Sequence, residues 1–181
     1  MGLVDDVEEV LIPEAVLQDR VRELGRQIAQ DYNGKDPLLV GILTGAFVFL
    51  ADLLRAIAAP CQIDFMATQS YGAGTESSGI VRILKDLDQS IEGRHVIVVD
   101  DIIDTGLTMD YLLETLKARY PASLRVCALL DKRPRRLRAV QIDFRGFEIP
   151  DKFVVGYGLD YAGRYRNLPY IAVLKPELYG M

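Results

Sequence analysis

The stretch Val96–Met109, VIVVDDIIDTGLTM, places three carboxylates beside residues suited to binding an anion. Asp100 and Asp101 follow four apolar residues, and Asp104 comes three positions later, directly before Thr-Gly-Leu-Thr. Glycine lets backbone N–H groups approach a ligand closely, and the N-terminus of a following helix favours negative charge. The sequence therefore predicts a phosphate-binding loop over Thr105–Thr108.

The acids need a different part of the ligand, because a carboxylate repels a bound phosphate. Asp100 and Asp101 are neighbours at a strand end, so we expect their side chains to point to opposite sides of the sheet. Carboxylates suit ribose hydroxyls, from which they accept hydrogen bonds, or a divalent cation. A phosphorylated ribose accounts for both sets of groups. The alternative is solvated loop acids with a helix N-cap, but the order of strand, acid pair, Asp-Thr-Gly-x-Thr and helix favours the ligand.

Several other classes of function are disfavoured. The stretch lacks both the GxxxxGK[ST] of P-loop proteins and the GxGxxG of dinucleotide-binding folds. The net charge of −5 and the pI near 5.0 argue against broad nucleic-acid binding. Cys61 and Cys127 lack the spacing of a disulfide framework or a zinc site, which predicts two reduced, packed cysteines and a cytoplasmic protein. The longest apolar run, residues 38–54, is interrupted by Thr44, Gly45 and Asp52, and no membrane span is predicted.

Alternating strand and helix patterns must position these acids. Continuous apolar runs are typical of strands buried on both faces, and the predicted strands are Leu38–Leu43, Ile63–Ser70, Ile80–Leu87, Val96–Val99 and Val126–Leu130. Helical spacing of apolar residues predicts helices over Val16–Gln30, over Ala46–Ile57 and from Thr108 to near Pro121. Two strand–helix–strand units result, which indicate an α/β fold with a mostly parallel sheet and helices on both faces. Ligands bind such sheets outside the carboxyl ends of the strands.

The C-terminal part of the chain has a different pattern. It contains short strand-like pieces at Gln141–Phe144, Lys152–Val155 and Tyr170–Leu174, with no long helix between them. We expect a small hood of irregular strands over one end of the sheet. A length of 181 residues suits a single domain over 1–181, with a core at about 16–140 and the hood at about 141–181.

The motif VIVVDDIIDTGLT resembles the phosphoribosyl pyrophosphate site of type I phosphoribosyltransferases. Six further segments are similar to the hypoxanthine-guanine branch of that family: LTGAFVF (43–49), SYG (70–72), LKDLD (84–88), DKRPRR (131–136), GFEIPDKFVVGYGLDY (146–161) and YRNLPYI (165–171). The resemblance covers about residues 38–174. It implies the type I phosphoribosyltransferase fold and transfer of a phosphoribosyl group to hypoxanthine or guanine, giving IMP or GMP and pyrophosphate. It also implies Mg2+ as cofactor, and a homodimer or homotetramer.

The resemblance assigns roles to individual positions. Asp104, Thr105, Gly106, Leu107 and Thr108 would hold the 5′-phosphate, with Asp104 also the general base or acid at the purine N7. Asp100 and Asp101 would face the ribose hydroxyls and a magnesium ion. Lys132, Phe153, Val154 and Asp160 would bind the purine, and Asp160 would also help to hold a second magnesium. Thr44, Gly45 and Arg166 would contact pyrophosphate, through a turn that often contains a cis peptide, and Ser70 and Tyr71 would begin a lid.

Some of these positions have a plainer interpretation or depart from the family pattern. Lys132 begins the charge run KRPRRLR, which alone is typical of a solvated basic turn, and the other arginines of the run are expected at the surface. Phe153 begins FVV, which also suits a buried strand. Thr44 stands where the family usually has lysine, which removes a cation near pyrophosphate. Asp100 stands where glutamate is common.

Three rival functions stay open. The first is a phosphoribosyltransferase that prefers xanthine or guanine. The second is an RNA-binding regulator of the same fold, which the acidic net charge and the segment FVVGYGLDY disfavour. The third is a phosphorylation-driven signalling domain, whose acid pair lies near the N-terminus of the domain and which leaves Thr-Gly-x-Thr without a purpose.

Overall fold

This computed structural model describes residues 5–71 and 80–179. They contain nine strands and three α-helices. In chain order they are β1 (Val7–Ile12), α1 (Glu14–Asp31), β2 (Leu38–Leu43), α2 (Phe47–Ala56), β3 (Gln62–Tyr71), β4 (Ile80–Lys85), β5 (His95–Ile103), α3 (Leu107–Lys117), β6 (Ser123–Asp131), β7 (Phe144–Glu148), β8 (Val154–Val155) and β9 (Ile171–Leu174). All three predicted helices and all five predicted core strands are present; the strand over Leu38–Leu43 has the predicted ends, and the ends of the others are shifted.

The main sheet has the strand order β4-β3-β2-β5-β6-β7. All neighbours in it run parallel except β4, which is antiparallel to β3. From β2 the chain passes through α2 to β3 on one side, and from β5 it passes through α3 to β6 on the other side. The direction of winding therefore reverses between β2 and β5, and a crevice opens at such a switch point. The predicted α/β fold is confirmed.

Two apolar layers cover the two faces of this sheet. Because side chains alternate along a strand, Val40 of β2 packs with the apolar row of α3, while its neighbour Leu39 packs with α1 and α2. The row on α3 consists of Met109, Leu112 and Leu116, at helical spacing. Complete burial of one such side chain contributes roughly 2 kcal/mol relative to exposure. The two layers hold the strand ends of the crevice in place.

A second, three-stranded antiparallel sheet has the order β1-β9-β8 and forms the hood. Its first strand, β1, was not predicted from the sequence. Glu8, Glu9 and Val10 of β1 are all exposed, so the strand has no clean alternation. Its partner β9 lies at the opposite end of the chain, and pairing between distant segments leaves no local pattern.

Two predicted strand boundaries are wrong. β5 does not end at Val99 but continues to Ile103, because its backbone goes on pairing with β6, so that Asp100 and Asp101 lie within the strand. A strand over Gln141–Phe144 is also wrong. The carboxylate of Asp143 accepts a hydrogen bond from the Val126 N–H at 2.9 Å, and β7 begins only after it. β7 joins the main sheet and β1 joins the hood, so the two sheets do not divide the chain at one point near residue 140.

The predicted lid segment lies mostly outside the described residues. Ser70 and Tyr71 are the last residues of β3, and their backbones pair with Val81 and Ile80 of β4. Both cysteines are free thiols, as expected. None of the helices in the described part of the chain has the length and apolar character that crossing a bilayer needs.

Candidate active site

The predicted residues lie at the carboxyl ends of three neighbouring strands of the main sheet, β2, β5 and β6. β2 ends just before the turn that contains Gly45, and β5 ends just before Asp104. Ile103 of β5 pairs with Asp131 of β6, so the residues that follow them, Asp104 and Lys132, leave the sheet side by side. The crevice at the switch point thus collects side chains that are far apart in the sequence, as the position of strand ends predicts.

A cavity of about 240 Å³ lies in the crevice between β2 and β5. Its lining includes Gly45, both members of the acid pair, and the loop residues 104–106 and 108. The expectation that Asp100 and Asp101 point to opposite sides of the sheet is therefore wrong, since their side chains also contact each other. Burial, followed by the neighbouring charge of Asp101, raises the pKa of Asp100 well above its ordinary value. Burial also raises the pKa of Asp101, against the lowering effects of hydrogen bonds and of the Arg166 charge. The pair therefore favours the binding of a proton or a cation.

Gly45 gives the Asp101 carboxylate its space. A Cβ atom on Gly45 would lie 1.7 Å from Oδ2 of Asp101, far inside van der Waals contact. The other carboxylate oxygen, Oδ1, accepts a hydrogen bond from the Ile102 N–H at 2.8 Å. Asp101 is thus fixed between its own strand and the turn after β2. The peptide bond between Leu43 and Thr44 in that turn is cis, and Thr44 itself is exposed.

The predicted phosphate loop is the N-terminal entry to α3. Gly106 is the N-cap residue and has φ +84°, a left-handed conformation that favours glycine. A Cβ atom there would also lie 2.5 Å from the carbonyl oxygen of Arg138. The Leu107 N–H donates weakly to Oγ1 of Thr105 at 3.4 Å. The first N–H groups of a helix have no partner within it, so this end can receive an anion.

Asp104 stands between this cavity and a second one of about 710 Å³, since Asp104 and Thr105 line both. Its Oδ1 atom is buried and has no hydrogen-bond partner among the described residues. Its Oδ2 atom lies 3.4 Å from Nη1 of Arg135. A buried acceptor without a partner costs on the order of 1–3 kcal/mol, so a proton-bearing ligand atom at Oδ1 would be stabilised.

Lys132 and Phe153 line the second cavity under the hood. Only 5% of Lys132 is exposed, and its Nζ atom lies 3.0 Å from Oδ1 of Asp151. The interpretation of Lys132 as a solvated basic turn is therefore wrong. Phe153 is half-buried and precedes β8, whereas Val154 is buried within that strand. The structure thus brings together an ammonium group, an aromatic face and the Asp104 carboxylate.

Arg166 belongs to a loop that packs on the turn after β2. Its guanidinium contacts Oδ1 of Asp160 at 2.7 Å and donates to the carbonyl oxygen of Gly158 at 2.6 Å. The second carboxylate oxygen of Asp160 accepts from the Gly163 N–H at 2.7 Å. A Cβ atom on Gly158 would lie 2.2 Å from the Gly45 carbonyl oxygen, which shows how closely the two turns meet. Arg166 is thereby held near Asp101.

Comparison with known proteins agrees with this geometry. A model of the phosphoribosyl transferase domain matches residues 7–162. The chain belongs to the phosphoribosyltransferase family. The hypoxanthine-guanine phosphoribosyltransferase of Bacillus subtilis is 52% identical over 174 residues, which are 96% of this chain and 97% of that protein. Among solved structures, a hypoxanthine phosphoribosyltransferase from Staphylococcus aureus matches with a TM-score of 0.94 and 47% identity, covering 98% of this chain and 96% of that chain.

Some relatives of this phosphoribosyltransferase are much longer. The bifunctional protein TilS/HprT of Listeria innocua is 52% identical over 175 residues, which are 97% of this chain but 27% of that protein. The chain therefore spans about a quarter of the length of that relative.

Sequence reasoning missed one residue that organises the site, Arg136. Its side chain is largely buried, and it donates to the carbonyl oxygens of Asp104 and Ile103, each at 3.0 Å. It also pairs with Asp131, whose side chain is 1% exposed. The expectation that this arginine lies at the surface is wrong. The sequence did contain a useful signal. Asp131 ends a buried strand, and four of the next five residues are basic. A buried acid requires a compensating charge, so one of these basic residues should turn inward.

Replacing Arg136 by alanine should lower kcat/KM for phosphoribosyl pyrophosphate about tenfold and lower the melting temperature, because the phosphate loop loses two backbone anchors and Asp131 loses a partner. Steady-state kinetics and thermal unfolding test this. Arg138→Ala is the matched control, since that side chain is 65% exposed and its contact with Asp110 is at 4.0 Å. Equal behaviour of the two variants would contradict the role given to Arg136.

Proposed function

We propose that this chain transfers the phosphoribosyl group of phosphoribosyl pyrophosphate to hypoxanthine or guanine, giving IMP or GMP and pyrophosphate. The observation that carries the proposal is the position of Asp104, which lines both cavities. One cavity offers a helix N-terminus and an acid pair, which suit a phosphorylated sugar. The other offers Lys132 and Phe153, which suit a planar base with a carbonyl group. A reaction that joins base to sugar needs a proton acceptor at their boundary.

The sugar side of the reaction uses the chain's fixed groups. The N–H groups and hydroxyls of Thr105–Thr108 hold the 5′-phosphate, and Gly106 keeps the backbone close enough to do so. Asp100 and Asp101 accept hydrogen bonds from the ribose hydroxyls. This anchoring presents the anomeric carbon towards Asp104. The bond from that carbon to pyrophosphate breaks with oxocarbenium character, as in glycoside hydrolysis.

The acid pair is suited to magnesium. Both carboxylates line the same cavity. Burial, followed by the charge of Asp101, raises the pKa of Asp100, and a cation would offset that charge. Mg2+ prefers oxygen ligands and commonly takes one or two carboxylates together with substrate phosphates. When bound, it supplies charge neutralisation to the leaving pyrophosphate. Asp100 and Asp101 are the residues that we propose to hold it.

Asp104 acts on the base side. As the purine N9 atom bonds to the anomeric carbon, the carboxylate takes the proton from N7, and the electron pair of the broken C–O bond leaves with pyrophosphate. Its Oδ1 atom is suited to this step because it has no competing partner in the described chain. The reverse reaction uses the same group as an acid.

Lys132 selects the base. Its Nζ atom lies 3.0 Å from Asp151 and has no second ion pair among the described residues, so its other N–H donors can bind the oxygen at C6 of hypoxanthine or guanine. Adenine carries an amino group at C6, which offers hydrogens to a donor and is therefore rejected. Phe153 stacks on the purine ring, and the backbone of Val154 meets the edge of the base.

Pyrophosphate is proposed to bind between the turn at Thr44 and Gly45 and the guanidinium of Arg166. Asp160 is proposed mainly to hold Arg166. One of its carboxylate oxygens pairs with the Arg166 guanidinium, and the other accepts a hydrogen bond from the Gly163 N–H. Its contacts with the purine and with a second magnesium stay predictions. The lid that begins at Ser70 and Tyr71 stays a prediction as well.

The deciding assay incubates the protein with phosphoribosyl pyrophosphate, Mg2+ and one base at a time: hypoxanthine, guanine, xanthine or adenine. We expect IMP or GMP with the first two. Product with xanthine or guanine but not with hypoxanthine would favour the rival preference. Product with adenine alone would overturn the role of Lys132.

Replacing Lys132 by methionine should raise KM for hypoxanthine and guanine by roughly 10- to 100-fold, because a desolvated hydrogen bond to the base is lost. KM for phosphoribosyl pyrophosphate should change little. Initial rates at varied base concentration measure the effect. Lys117→Met is the control, since Lys117 is exposed on α3 and pairs only with Glu114 among the described residues. An unchanged KM for the base would remove Lys132 from recognition.

We also propose that the chain acts as one domain, works in the cytoplasm and assembles as a homodimer or homotetramer, as the family resemblance implies. Phe49, Leu50 and Leu53 of α2 are buried in the core, while Phe47 on the same helix stays 43% exposed. Light scattering on the purified protein measures the assembly. A monomer at micromolar concentration would contradict it.

A further inference from the structure

The ring of Tyr179 lies against the proposed base-stacking residue. Its centroid is 4.6 Å from that of Phe153, and the two ring planes differ by only 23°, which is a stacked arrangement. Both rings line the 710 Å³ cavity together with Lys132 and Asp104. Nothing in the sequence pattern near the end of the chain indicated this contact.

Backbone hydrogen bonds hold Tyr179 in place. The N–H of Tyr179 donates to the Pro176 carbonyl oxygen at 3.2 Å, closing a turn of 3-10 helix. The residue before that turn, Lys175, donates from its backbone N–H to Asp6 at 3.1 Å and from Nζ to the carbonyl oxygen of Asp5 at 2.6 Å. The ring is therefore presented by a segment that is anchored to β1's leading residues.

A third ring limits Phe153 from another direction. Tyr161 meets Phe153 edge-on, with centroids 5.6 Å apart and planes at 90°. Together the two tyrosines restrict rotation of the Phe153 ring about its side-chain bonds. A ring whose plane is preset loses less conformational freedom when a second flat molecule stacks on it.

We propose that Tyr179 is a positioning residue of the base site, which stacks on one face of Phe153 and presets the plane on which the purine stacks with the other. The inference rests on the proposed function, since it assumes that Phe153 receives the base. Tyr179 itself does not take part in proton transfer. Its effect should therefore fall on binding of the base and not on binding of the sugar phosphate.

The test compares Tyr179→Ala and Tyr179→Phe with Leu178→Ala, a control in the same turn whose side chain is 37% exposed. Loss of one aromatic stack should raise KM for hypoxanthine and guanine about tenfold in Tyr179→Ala. KM for phosphoribosyl pyrophosphate should stay within about twofold, as expected for a separate cavity. Tyr179→Phe keeps the stack and should behave like the wild type, as should Leu178→Ala.

Three results would overturn the proposal. A lower KM for the base in Tyr179→Ala would mean that Tyr179 occupies the place of the purine. A parallel rise in both KM values with a lower melting temperature would mean a purely structural role. Unchanged constants would mean no role at all. Failure of the proposed function is distinguishable, because the wild-type protein itself would then transfer to none of the bases.

Discussion

Asp104→Asn should lower kcat by about a hundredfold or more, which is the usual contribution of a positioned general base. The amide has nearly the same shape as the carboxylate, but it cannot accept the proton that leaves the purine N7. Because the rest of the site is intact, KM for each substrate should change only a few-fold. Single-turnover measurements separate this chemical step from product release.

The matched control for this variant is Asp110→Asn. Asp110 lies in the first turn of α3, its side chain is 45% exposed, and its carboxylate lies 4.0 Å from the Arg138 guanidinium. Its substitution changes the same charge near the same helix end without touching either cavity of the site. Turnover close to that of the wild type in Asp104→Asn would exclude Asp104 as the base.

Gly45→Ala should reduce kcat/KM for phosphoribosyl pyrophosphate by on the order of a hundredfold, the effect of displacing a reacting group by about 1 Å. The added Cβ would lie 1.7 Å from Oδ2 of Asp101, so either that carboxylate or the turn after β2 has to move. The movement would disturb the proposed magnesium ligand and the proposed pyrophosphate contact at once. Kinetics at varied phosphoribosyl pyrophosphate and Mg2+ measure the loss.

Gly34→Ala controls for the loss of a glycine elsewhere. Gly34 has φ +73° and no atom within 4 Å of an added Cβ, so this change should cost on the order of 1 kcal/mol of stability and leave activity unaltered. If Gly45→Ala kept a normal KM for phosphoribosyl pyrophosphate, the close approach to Asp101 would have no functional role.

The crevice could be predicted from the sequence because its signals are local. An apolar run such as Leu38–Leu43 is buried on both faces, and the carboxyl ends of parallel strands place Gly45, Asp104 and Lys132 at the same end of the sheet. The role of Lys132 in the base site was predicted only from the family resemblance.

The place of the acid pair beside this crevice could also be predicted. The position of the acid pair inside β5 could not be predicted. The apolar run ends at Val99, but the backbone of β5 continues to pair with β6 as far as Ile103.

Arg136, Tyr179 and β1 escaped prediction for a different reason. Each depends on a partner that lies far away in the sequence: Ile103 and Asp104 for Arg136, Phe153 for Tyr179, and β9 for β1. A run of basic residues carries no periodicity that tells which member points inward, and only the structure places Arg136 on the Ile103 and Asp104 carbonyls. Likewise, a tyrosine near a chain end gives no sign of the ring on which it stacks.

The pairing of β1 with β9 has a consequence for how the protein folds. This ladder joins residues 7–12 to residues 171–174, so the hood consists of contacts between segments separated by most of the chain. Such contacts form slowly, because a long loop has to close before they are made. The phosphate loop, by contrast, belongs to β5 and α3, which are adjacent in sequence. We therefore expect a nascent or refolding chain to bind phosphate before it can bind a base.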